Sequence, residues 1–547
     1  MISHAMKRMR RRSVVCAGTV LAAAVIATSC TDDGDDGASG QAVEEASRGP
    51  RVPPSPLAGS ASEAGARQRG AVEPGEVPDD AVRIAVGDDA QQVVDAAEPG
   101  TTFVFAEGIH REQQITPRDG DRFIGEPGAV LRGSRELEGF SERDGVWAIG
   151  GQTQENEIGE QGFMEEGREA DAFPEELFVD GERQQHVASL DEVGDGTWHF
   201  DYAADTIYLG SDPSQGTVET STVPTAFAGE GVRDVTIENL VIEHYANRAQ
   251  VGAIHGEGTR RWTVRNVDAS FNHGTGIRIG PGWLIANCRV TNNGQMGISG
   301  NGQQDEQATI VVRDSEIAQN KVLGYDWEWE GGATKFSRTV NMVFENNWVH
   351  DNIGPGPWFD IDNRDAVIRS NLVENNTGVG IHYEISYGAE IYWNEVRGNG
   401  GENEDYGTGV FVSNSSQVAV FENLLAGNRH EIYAIQDERG EGEFGRYTAA
   451  DLDVRRNDVT VTDGQVGLRV PTGEDEFYAS QGVRFRENTY RLSEPDQQAF
   501  YWDESEIPAS QWQEHGLDVA GDFLTDGGDG ALPGEATGYE ATRYGPE

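Results

Sequence analysis

Residues 367–376 read VIRSNLVENN and residues 391–399 read IYWNEVRGN. Each stretch alternates apolar and polar side chains at the period of a strand, breaks at an asparagine (Asn371, Asn394), then runs apolar again to a second one (Asn376, Asn399). The same phrase recurs as VTIENLVIEHYAN (235–247), WTVRNVDASFN (262–272), IANCRVTNN (285–293), VVRDSEIAQN (311–320), MVFENNWVHDN (342–352) and VAVFENLLAGN (418–428). Repetition of a short-strand unit marks a solenoid, whose units bury their apolar faces on one another.

Taking Asn239, Asn266, Asn287, Asp314, Asn347, Asn371, Asn394 and Asn423 as equivalent turn residues puts eight coils in one phase. Asparagine tolerates left-handed turn geometry, and its amide can hydrogen-bond its copies above and below. Stacked coils place equivalent residues one strand spacing apart, with parallel pairing. These repeats resemble the right-handed parallel β-helix of the pectin-lyase-like superfamily. The resemblance covers about residues 80–500 and implies an all-β fold.

Outward from the repeats, DDAQQVVDAA (88–97) predicts a short amphipathic helix capping the first coil. FPEELFVDGERQQHVASL (173–190) and GTWHFDYAADTIYLGSDP (196–213) predict hairpins turning near Asp180-Gly181 and Ala203-Ala204. The chain therefore divides into a signal segment (1–29), a Gly/Ser/Pro-rich disordered tether (30–78), a cap with first coils (79–139) and an inserted antiparallel β subdomain (140–228). The main β-helix (229–500) and a C-terminal cap with an acidic tail (501–547) follow, with Trp512 expected to cover the last coil.

Lys7, Arg8 and Arg10–Arg12 precede an apolar run ending Ala27-Thr28-Ser29-Cys30, a pattern that resembles a bacterial lipobox. The resemblance implies export, lipidation at Cys30 and anchoring on the extracellular face of the cell membrane. Cys16 and Cys288 are the only other cysteines, so no disulfide or cysteine metal site is expected in the processed chain. The formal charge of −52 disfavours nucleic acid and acidic polysaccharide as partners. No cofactor or metal motif is present. Lysine is scarce, which singles out Lys335.

The densest chemistry lies in GYDWEWEGGATKF (324–336), GPGPWFDIDNRDAVIRSN (354–371) and GVGIHYEISYGAEIYWN (378–394). Asp360 and Glu384 are about one coil apart, so their carboxyl groups would face each other near the ~5–5.5 Å used by retaining glycosidases. Burial and mutual repulsion should raise the pKa of one of them, leaving it protonated as the acid. Counted back from Asn371 and Asn394, however, the two acids differ by one residue. Both face outward only if one coil carries a bulge, and Asp362 is an alternative partner of Glu384.

The segments Trp358-Phe-Asp360 and Tyr383-Glu384 resemble β-helix glycoside hydrolases of the β-xylosidase type, which also carry an inserted β subdomain. That resemblance implies Asp360 as nucleophile and Glu384 as acid/base. Trp327, Trp329, Trp358 and Tyr383 are candidates for sugar contact, or else core residues. Lys335, His382 and Asp362 are candidates for binding hydroxyl or carboxylate groups. Two competing readings remain open: a polysaccharide lyase using Lys335 or His382 as base with Arg364 on a uronate, and a non-catalytic glycan-binding surface protein.

Overall fold

The computed structural model describes residues 77–525, apart from 144, 160, 401–406, 472, 473 and 475. Cys30, the signal segment and nearly all of the tether lie outside these residues. Three long sheets of 13, 12 and 13 strands run the length of the molecule, and each coil contributes one strand to each sheet. Pairing is parallel and in register, coil on coil, as in Ile237↔Val264 and Val264↔Ile285 in one sheet and Ile242↔Ala269 and Ala269↔Val290 in another. The residues at these positions form one continuous buried apolar column.

The turn residues occupy two adjacent positions, which corrects the single phase read from the sequence. Asn239, Asn266, Asn287 and Asp314 have φ between 52° and 60°, continued by Asn346, Ser370, Trp393 and Glu422. Asn347, Asn371, Asn394 and Asn423 stand one residue later and form a buried ladder. The Asn371 amide donates to Asn394 Oδ1 at 2.9 Å and to the Phe344 carbonyl at 3.0 Å, and the ladder runs on through Asn457 and Asn488 to Asp518. A second ladder climbs another corner from Asn272 through Asn293, Asn320, Asn352, Asn376 and Asn399 to Asn428, where Glu431 ends it.

The helix Ala90–Asp95 buries Ala90 and Val94 over the first coil, with Asp89 accepting from the Gln92 backbone N–H. At the other end the helix Ala509–Glu514 buries Trp512 against Phe485, Phe500 and Trp502, and its indole donates to Asp518. The inserted antiparallel strands span Ser134–Glu136 to Val218–Ser221. Asp180 and Gly181, both at positive φ, make the tight turn between paired strands Leu177–Val179 and Glu182–Arg183. The coil after the insertion stacks directly on the coil before it, Ile237 on Phe123 and Ile242 on Leu131, so the insertion leaves the solenoid unbroken. Among the described residues no helix is long and apolar enough to cross a membrane.

Candidate active site

Strand alternation decides which side chains leave the coil. In Trp358–Asp360 and Ile381–Glu384, Phe359 and Tyr383 turn inward and are fully buried, while Trp358, Asp360, His382 and Glu384 stand on the outer face. Trp358 pairs with His382 and Asp360 with Glu384. The next pair in the neighbouring sheet is Arg364↔Tyr387, so the first coil holds one residue more between the two points. That residue is a bulge at Ile361-Asp362, two consecutive left-handed residues (φ 65° and 57°), where the neighbouring coil turns through Ile385 alone (φ 36°). The bulge reconciles the one-residue conflict and sets both carboxylates side by side.

Each carboxylate has its own cation. Lys335 Nζ lies 3.0 Å from Asp360 Oδ2, donates to the Trp329 carbonyl at 2.9 Å, approaches Glu330 at 3.9 Å and sits 3.9 Å above the Trp358 ring. Arg439 donates to Glu384 Oε1 at 2.7 Å, and Trp358 Nε1 donates to Glu384 Oε2 at 3.1 Å. Burial raises the Asp360 pKa; Lys335 opposes this and Glu384 adds to it. The raised member of the pair is thus Asp360, the residue to which the family resemblance gives the nucleophile's role. Burial also works against the charge on Lys335, but Asp360 and Glu330 outweigh it and hold the ammonium above its ordinary range. His382, stacked at 5.5 Å on Trp358, is driven by burial down to about 3 and is neutral. Asp360 Oδ1 and His382 Nε2 are buried without a hydrogen-bond partner.

Several expected contacts take other places. Tyr383 is not a surface residue: its ring packs under Phe359, and its hydroxyl donates to the Gly388 carbonyl at 2.7 Å. With His382 and Glu384 outward, the residue between them must face the core. Asp362 does not partner Glu384; its Oδ1 accepts from the Tyr447 hydroxyl at 2.8 Å and the Glu443 backbone N–H at 3.1 Å. Trp358 is 5% exposed, held between Lys335 and His382, and offers no open ring face. Trp327 and Trp329 share the one-turn helix Trp327–Glu330, where Trp329 is stacked at 4.4 Å on Phe163 of the insertion. Arg364 pairs with Glu306 and lies over Phe444; among the described residues it makes no ion pair with Asp360 or Glu384.

Arg439 and the hairpin Glu441–Gly442 to Gly445–Arg446 were not foreseen. The run QDERGEGEFGRY (436–447) has the composition of a solvated loop, and no local pattern shows that it folds back over Glu384. A Cβ on Gly442 would collide with the Asp362 carboxylate and the Tyr447 hydroxyl, so glycine is what lets the hairpin lie this close. The insertion packs on elements beside the site, with Phe163 against Trp329. Glu176 and the Tyr325 hydroxyl meet the two nitrogens of buried His273 at 2.7 and 2.8 Å, fixing the start of the segment that carries Trp329 and Lys335. Among the described residues no group of three His, Cys, Asp or Glu side chains is placed to hold a metal ion.

Residues 252–429 match the family model described as a right handed beta helix region. No curated protein matches the chain by sequence. Among solved structures, XylC in complex with xylose is similar at 14% identity and a TM-score of 0.61, covering 80% of this chain and 82% of its own. The A-module of the Azotobacter vinelandii mannuronan C-5 epimerase AlgE4 is also 14% identical, with a TM-score of 0.40 over 72% of this chain and 96% of its own. The coil-on-coil pairing, the matched segment and the likeness to XylC agree on the architecture: the chain is a right-handed parallel β-helix protein.

Proposed function

We propose that the protein is a retaining glycoside hydrolase acting on neutral oligo- or polysaccharide, with Asp360 as nucleophile and Glu384 as acid/base. The observation that carries the reading is the direct pairing of Asp360 with Glu384 on adjacent outward rungs, at the ~5 Å spacing that retention needs. Asp360 Oδ1, unpartnered, attacks the anomeric carbon as the bond from that carbon to the leaving oxygen breaks and Glu384 delivers its proton to that oxygen. Water then attacks the glycosyl ester, Glu384 takes back a proton, and Asp360 leaves as carboxylate.

The two cations divide the labour. Lys335 is fastened by Trp329, Glu330 and the Trp358 face, so it stays with Asp360 and favours the ionised nucleophile. Arg439 is 41% exposed on a surface hairpin, and an entering sugar displaces it from Glu384. Released from Arg439, Glu384 stands beside Asp360 and faces the leaving oxygen. This ordering reconciles the roles with the ion pairs that Asp360 and Glu384 make.

Xylo-oligosaccharides are the first substrates to test, since the XylC structure of the same fold contains xylose. Asp360→Ala and Glu384→Gln should each abolish reducing-sugar release while keeping the β-sheet circular dichroism of the folded chain. Full activity in either variant overturns the assignment, and an ultraviolet-absorbing unsaturated product from a uronate polymer would replace hydrolysis by elimination. Export and anchoring through Cys30 belong to the same proposal, and a diacylglyceryl mass on the N-terminal peptide of membrane-associated protein is its test.

A further inference from the structure

A cavity of about 540 Å³ lies on the same face of the helix, lined by Glu257, Arg278, Asn301, Gln304, Arg338 and Glu443, among others. Its position relative to the acid pair follows from register. Arg278 pairs with Ser299 and Ser299 with Lys335, so Arg278 stands two coils below Lys335 in one outward row. Asn301 pairs with Ser337, and Phe336 with Phe359, so Asn301 stands two coils below Asp360 in the other. Two coils are ~10 Å. The cavity and the acids therefore share two rows of one surface.

The lining has a recognisable chemistry. Arg278 is paired with Glu257 at 3.3 Å, whereas the exposed Arg338 makes no ion pair among the described residues. Gln304 Nε2 is buried without an acceptor. Gln303 and Gln304 are both held at positive φ, with Asn301 Oδ1 accepting from the Gln303 N–H at 2.7 Å, so the segment is built rather than loose. Two guanidiniums balanced by two carboxylates, with amides between, suit hydroxyl groups, which donate and accept alternately. They do not suit an anion, which the surrounding negative chain also repels. The hairpin that places Arg439 on Glu384 also places Glu443 in the cavity, joining the two sites by one element.

We propose that this cavity is a second saccharide subsite, which holds a neutral sugar unit of the same oligosaccharide about two coils from the bond that is cut. The proposal rests on the hydrolase reading for its substrate class and makes the preferred ligand an oligosaccharide longer than a disaccharide.

The test is calorimetric titration of the full chain carrying Glu384→Gln with neutral xylo-oligosaccharides, di- to pentasaccharide. Affinity should rise about ten-fold once the chain is long enough to reach the cavity. Adding Arg338→Ala or Gln304→Ala should remove most of that gain. Affinity independent of length, or a gain that survives both substitutions, overturns the subsite, and tighter binding of uronate-bearing oligosaccharides overturns its neutral chemistry. Reducing-sugar release by the unsubstituted protein is read separately, so failure of hydrolysis and failure of the subsite are distinguishable.

Discussion

Lys335 and Asp360, on neighbouring coils, form a 3.0 Å ion pair whose cation also lies on the face of Trp358. The pair opposes what burial does to Asp360, because the ammonium stabilises the carboxylate that desolvation disfavours. In the proposed reaction the nucleophile must be ionised. Lys335→Met keeps the packing on Trp358 but removes the charge, so the Asp360 pKa rises. The acidic limb of kcat/KM should move to higher pH. Lys335→Arg should leave that limb near its original place. An unmoved limb in Lys335→Met would show that Asp360 is not the group titrating there.

Asp362, Gly442 and Tyr447 hold the 441–446 hairpin over the site. Gly442→Ala forces a side chain into the space where these groups meet, and Asp362→Ala removes the acceptor that binds Tyr447 and Glu443. Either change should raise KM about ten-fold, the scale of one lost charged hydrogen bond, with a smaller effect on kcat. Hydrogen exchange at residues 438–447 should quicken at the same time. Quickened exchange with unchanged KM would mean that the hairpin does not touch substrate.

The two kinds of turn asparagine answer to different demands, and one substitution separates them. At Asn266 (φ 52°) the demand is chiefly conformational: its amide donates to Asn239 Oδ1 at 3.1 Å and its Oδ1 accepts from Asn287, but the position is only half-buried and the equivalent turns of later coils use Ser370, Trp393 and Glu422. Glycine meets the conformational demand and the partners it releases can reach water, so Asn266→Gly should cost only about 1 kcal/mol. At Asn371 the demand is hydrogen bonding: the amide donates to Asn394 and Phe344, and Oδ1 accepts from Asn347. Asn371→Gly strands buried partners above and below and should cost about 3 kcal/mol or more. Denaturant midpoints of the two variants decide the matter; equal losses would contradict the distinction.

The same asparagines explain what was legible beforehand. Coils, pairing direction and the site face could be read because the turn residue repeats; its exact phase could not, because two adjacent positions both select asparagine for unlike reasons. The separation of Asp360 from Glu384 was legible, and so was the need for a bulge, since parity is strict in a strand. Parity also assigns Tyr383 to the interior, against the sugar contact that its aromatic neighbours suggest. Arg439 was not legible: its contact with Glu384 crosses 55 positions and depends on the path of a glycine-rich hairpin. Trp358 and Trp329 looked like platforms because stacking on a sugar and stacking on Lys335, His382 or Phe163 need the same residue type.

Glu431 ends the second asparagine ladder where another asparagine would continue it. Asn428 donates its amide to Oε2 at 2.6 Å and its backbone N–H to Oε1 at 3.2 Å, yet burial dominates these bonds and pushes the carboxyl pKa up to about 8. The folded chain therefore keeps a proton that the unfolded chain releases near 4.5. Between these values the native state binds more protons, so stability falls as pH rises, by up to about 1.4 kcal/mol per unit from this group, and the loss is complete above about 8. Glu431→Gln cannot ionise. It loses one acceptor at every pH, but its stability relative to the parent should climb steadily from pH 4.5 to pH 8. Unfolding midpoints of the two proteins across that window measure the difference directly, and a constant offset would show that Glu431 is already ionised in the fold.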